Sequence, residues 1–88
     1  MSPVTSYTTI MATDIDLDRV CDVVKRIGEL DAIEPDQDFY QAGIDSMRGM
    51  DIMLELESEF DLTIPDDKFV KARTPRALTD LVSQLKGA

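Results

Sequence analysis

Apolar residues recur at Leu17, Val20, Cys21, Val24 and Ile27, three or four positions apart, the spacing of one buried helical face. Ahead of them stand Thr13 and then Asp14, Asp16 and Asp18, a capping residue followed by acids that suit the positive end of a helix. The pattern predicts a first helix over residues 14–29, weakening at Gly28 and at the acids beyond Leu30. Residues 1–12 are polar and Thr-rich without a helical period, so they are expected to form a mobile tail to a folded domain at 13–88.

Residues 31–44, DAIEPDQDFYQAGI, read as a long loop pinned to the core by Ile33, Phe39 and Tyr40. Loops of this length inside a small domain usually serve a purpose. A second helix is predicted from Asp45 or Ser46 to about Phe60, and it carries two apolar lines. Gly49, Ile52, Met53, Leu56 and Phe60 follow core spacing, while Met47, Met50 and Leu54 run part-way round the cylinder among Asp51, Glu55, Glu57 and Glu59. After the break at Pro65, residues 66–71 make one short turn with Phe69 and Val70 expected to face inward. Thr74 and Pro75 then open a last helix with Leu78, Leu81, Val82 and Leu85 on its apolar face, ending before Gly87. No strand or repeat is legible. The expected fold is all-α, a small antiparallel four-helix bundle of three main helices and one short one.

Composition narrows the function. The chain has 88 residues, room for one small domain. It carries 18 acids against 9 Lys or Arg, a net charge of −9. Such a field disfavours nucleic acid and anionic membrane surfaces, and it steers partners that present basic groups. Cys21 is the sole cysteine and there is no histidine, which excludes an intrachain disulfide and a Cys/His zinc site. A reducing, cytoplasmic compartment is expected, and neither a signal peptide nor a membrane-spanning run is apparent.

Candidate chemistry is sparse. Asp14, Asp16 and Asp18 imitate the opening of a calcium loop, but Arg19 and Lys25 occupy the positions that need glycine and a bidentate glutamate. A nucleophilic serine or cysteine ordinarily has a general base within reach, and no relay is visible here. Cys21, on the apolar face of the first helix, reads as an inert core residue. Ser46 has two readings. Asp-Ser is a common capping pair; alternatively, a helix N-terminus is a ready site for a phosphate attached to that serine. The Met47, Met50 and Leu54 line is likewise either core or an adaptable surface for partners, since methionine repacks easily.

Three stretches together carry a resemblance: Asp36-x-Asp38-Phe39, then Gly43-Ile44-Asp45-Ser46-Met47, then Glu57-x-Glu59-Phe60-Asp61-Leu62-x-Ile64-Pro65. They are similar to the acyl carrier protein pattern of polyketide and fatty acid synthesis, over roughly residues 14–86. The resemblance implies a four-helix bundle with 4′-phosphopantetheine carried covalently on Ser46, Asp45 being the acid that precedes it. A phosphopantetheinyl transferase using coenzyme A and magnesium would supply the activation the chain lacks, with Ser46 Oγ attacking the coenzyme's β-phosphate. The arm's thiol would hold an acyl group as a thioester, and the carrier itself would catalyse nothing.

The resemblance also places a partner surface on Met47, Arg48, Met50, Asp51, Leu54, Glu55 and Glu57, extended by Asp66 and Asp67. Acyltransferases or ligases, ketosynthases and other pathway enzymes with basic docking surfaces would meet a monomeric carrier there. Ile64, Phe69 and Ala72 lie near where the family often shelters a bound chain. Met47 departs from the family's usual leucine, and Arg48 and Gly49 from its usual acid and small polar or β-branched residue. These departures point to a discrete carrier of a specialised polyketide-type pathway, with an aminoacyl or peptidyl carrier as the alternative and an unmodified acidic adaptor as a more remote one. The length of 88 residues suits a free-standing carrier, an excised domain of a larger synthase being the other possibility.

Overall fold

The computed structural model describes the backbone of residues 11–87 and the side chains from Asp16 onward. Four helices follow in order: α1 Met11–Gly28, α2 Ser46–Phe60, α3 Asp66–Phe69 and α4 Pro75–Gly87, with no strand among the described residues. The long helix α1 packs against both α2 and α4, and the short α3 leans on α4.

α1 begins earlier than its acids suggest. Met11 and Ala12 are strong helix formers and carry the helix through Thr13, whose backbone therefore lies inside it and not at its cap. Residues 11 and 12 thus belong to the helix, and the rest of the expected tail lies outside the described residues. Val20 and Val24 are fully buried, as their spacing predicts, and so is Val23. Cys21 is only half-buried, a correction to its placement in the core. With neighbours on two sides, the buried sector of α1 is centred on the valines and leaves Cys21 at its margin. Burial, helped by Asp18, raises the Cys21 thiol above its ordinary range, which keeps it protonated and unreactive.

α2 buries Gly49, Ile52, Met53 and Leu56. Phe60 is partly buried and lies beneath two cations, with the Arg19 guanidinium 4.4 Å and the Lys86 ammonium 5.4 Å from its ring centroid. On α3 only Phe69 faces inward. Val70 is 58% exposed, against the expectation for it. Adjacent residues on a helical turn point about 100° apart, so a buried Phe69 turns its neighbour outward. α4 starts as its sequence predicts, with Thr74 Oγ1 accepting the Ala77 amide at 3.1 Å ahead of Pro75. Leu78, Leu81 and Val82 are buried, and the buried Thr79 hydroxyl donates to the Pro75 carbonyl at 2.8 Å.

The long loop is stitched to the α3–α4 connection. Phe39, fully buried, donates its amide to the Arg73 carbonyl at 3.0 Å, and Arg76 donates its own to the Pro35 carbonyl at 2.9 Å. Two side-chain pairs reinforce them, Arg73 Nε to Asp38 Oδ2 at 2.7 Å and Arg76 Nε to Asp36 Oδ1 at 2.8 Å. These contacts hold the loop's far end, residues 43–45, at the start of α2.

Candidate functional site

The loop delivers α2 through three adjoining contacts. Gly43 has φ +116°, a left-handed region that favours glycine. Ile44, 3% exposed, packs over the end of α1, where a Cβ on Gly28 would lie 2.7 Å from Ile44 Cδ1. Asp45, in extended backbone, then caps the helix. Its Oδ1 accepts the Arg48 amide at 2.9 Å, and its carbonyl accepts the Gly49 amide at 2.9 Å.

Asp45 is thus the N-cap and Ser46 is the first helical residue. The Ser46 side chain is exposed, and its hydroxyl has no hydrogen-bond partner among the described residues. Of the two readings open to Ser46 in the sequence, capping is therefore corrected: a neighbour does that work. The amides of Ser46 and Met47, at the positive end of the macrodipole, have no intrahelical acceptor.

Met47, Met50 and Leu54 descend from this point and are 79%, 51% and 56% exposed, so the second apolar line of α2 is surface, not core. Asp51, Asp66 and Asp67 stand exposed. Glu55 is turned toward α1, its Oε2 3.6 Å from Arg26. Glu57 is occupied within the fold, its Oε2 accepting the Ile64 amide at 2.8 Å. Arg48 also turns inward, donating from Nη1 to the Ile27 carbonyl at 3.0 Å and lying 3.3 Å from Glu29 Oε2. Ile64, Phe69 and Ala72 are packed into the core.

Sequence pattern did not reveal Val70 as part of the exposed apolar surface, nor the support that Gly28 and Tyr40 give the start of α2. The lysines flanking Phe69 and Val70 were the available signal for the first, since both are exposed and leave room for one inward residue only. The second is a matter of tertiary contact. No group of His, Cys, Asp or Glu among the described residues could hold a metal ion.

This arrangement sets an exposed hydroxyl at the head of an exposed apolar line, with no base hydrogen-bonded to it among the described residues. The phosphopantetheine attachment site family matches residues 17–82. The chain is 36% identical over 80 residues to the actinorhodin polyketide synthase acyl carrier protein of Streptomyces coelicolor, covering 85% of this chain and 90% of that one. It is 31% identical over 72 residues to the chloroplastic acyl carrier protein 1 of Spinacia oleracea, covering 78% of this chain and 52% of that one. A further match, 34% identical over 58 residues, is to the non-reducing polyketide synthase Preu3 of Preussia isomera, covering 66% of this chain and 2% of the synthase. The chain thus spans about half the length of the spinach relative and a small part of the fungal one.

The protein belongs to the acyl carrier protein family of phosphopantetheine-binding proteins. The matched region is accordingly a carrier domain, with 4′-phosphopantetheine as its covalent group.

Proposed function

We propose that Ser46 is the attachment residue and that the protein carries acyl intermediates of a specialised polyketide-type pathway. The observation that carries this reading is the division of labour at the start of α2. Asp45 caps the helix, which leaves the Ser46 hydroxyl exposed and uncommitted at a positive helix end. The bound group supplies a terminal thiol that holds the acyl cargo as a thioester. Around Ser46, the unpaired amides of the first turn and the macrodipole favour an anion close to the helix start.

Met47, Met50 and Leu54 form the face that partners grip, and the flexible methionines suit several partners in turn. Asp51, Asp66 and Asp67 steer basic partners on approach; Glu55 and Glu57 contribute less, because each already has an intramolecular contact. The partners of this reading are a phosphopantetheinyl transferase and pathway enzymes with basic docking surfaces, meeting a monomeric carrier in the cytoplasm. The identity to the actinorhodin carrier, over most of both chains, supports the polyketide assignment. The lone, unreactive Cys21 suits a reducing compartment.

Intact mass tests the assignment. Incubation with a broadly active transferase, coenzyme A and magnesium should add one phosphopantetheine to the wild-type chain and none to Ser46→Ala. A wild-type chain that stays unmodified overturns it.

A further inference from the structure

Arg48 is out of place by charge. It lies in the first turn of α2, where the macrodipole disfavours a cation. What its guanidinium reaches accounts for it. α1 ends with Glu29 at φ 57°, a left-handed position, and with the Leu30 amide donating back to the Lys25 carbonyl at 2.9 Å. That closure leaves the Ile27 carbonyl without a helical donor. Arg48 Nη1 supplies the donor at 3.0 Å, in a half-buried setting, so a cation also meets the negative end of α1. The pair with Glu29 is longer, at 3.3 Å, and Glu29 is 74% exposed, so it adds little.

One side chain therefore ties the first turn of α2 to the last turn of α1, two residues after Ser46. Its backbone takes part as well, since the Arg48 amide is the group that Asp45 caps. We propose that Arg48 is a positioning residue for the modification of Ser46: by holding the Ile27 carbonyl it fixes the start of α2 and hence the direction of the Ser46 hydroxyl. The proposal rests on Ser46 being the modified residue. Direction matters because small misplacements of a reacting group are costly in rate.

The test is the kinetics of transferase modification, followed by intact mass. Arg48→Ala should lower kcat roughly tenfold or more while KM changes little, since the defect lies in aiming and not in docking. Arg48→Lys and Arg48→Gln, which still offer a donor to the carbonyl, should recover part of the loss and serve as the readout if the alanine variant loses helicity. Glu29→Gln should leave kcat unchanged. Amide hydrogen exchange gives a second readout, because the Gly49 amide, bonded to the Asp45 carbonyl, should lose protection in Arg48→Ala. A raised KM with unchanged kcat would assign Arg48 to the docking face and overturn the proposal, as would wild-type kinetics in Arg48→Ala. A wild-type chain that gains no mass defeats the Ser46 assignment itself; normal wild-type modification with an indifferent Arg48→Ala defeats only this inference.

Discussion

The Tyr40 hydroxyl lies 3.0 Å from the place a Cβ on Gly49 would occupy, with two further ring atoms at 3.3 and 3.5 Å. Glycine at this helical position lets the loop's aromatic ring lie against the first turn of α2. The ring cannot retreat freely, because Phe39 sits 4.7 Å away on one side and the Arg73 guanidinium 4.8 Å away on another. Gly49→Ala gains helix propensity of about 1 kcal/mol but incurs overpacking of about 1–3 kcal/mol. The net expectation is a loss of about 1 kcal/mol in urea unfolding. Tyr40→Phe removes the nearest atom, so Gly49→Ala should be milder in that background; equal costs in both would separate the two residues energetically.

Among the described residues, Asp45 is the only side chain capping the start of α2. Asp45→Ala should cost about 1 kcal/mol, whereas Asp45→Asn keeps an acceptor and should cost much less. Chemical denaturation of both variants decides the matter, and equal losses would show that charge, not the hydrogen bond, is what the helix uses.

Met50, 51% exposed, should accept glutamate without loss of fold. Met50→Glu is expected to leave thermal stability within about 0.5 kcal/mol of wild type. Its turnover with partner enzymes should fall through KM. Marked loss of helicity would show that this residue supports the core.

Acid should loosen the loop. The Arg73 hydrogen bond, seconded by the Gln41 and Tyr40 amides, holds the Asp38 carboxyl below the usual carboxylate range against the opposing effect of burial. A lowered folded-state value stabilises the fold above the unfolded value of about 4 and loses that effect as pH falls through the folded one. The urea midpoint of the wild-type chain should therefore drop, as pH falls below about 4, by more than that of Asp38→Asn. Parallel curves would remove Asp38 from the acid response.

Much of this protein was legible in its residue order. Helical periodicity located the four helices, because a small domain must turn its apolar residues to one side. The spacing of Ile52, Met53 and Leu56 against Met47, Met50 and Leu54 separated core from surface on α2, and the GIDSM stretch marked the residue at its head. Local chemistry also foretold the Thr74 cap, which depends on neighbours in the chain alone.

What remained for the tertiary structure was every choice between residues of equal local merit. Asp45 and Ser46 are both good capping residues, and the approach of the loop, seated by Ile44 over Gly28, decided that Asp45 caps and Ser46 is free. Val23 or Cys21, and Phe69 or Val70, could each have faced inward until the neighbouring helices settled which direction was inside. Arg48 looked like a surface charge until the half-buried carbonyl of Ile27, distant in sequence, gave it a partner. Periodicity is a property of one helix, whereas the direction of burial and the fate of an orphan carbonyl belong to the helices packed beside it.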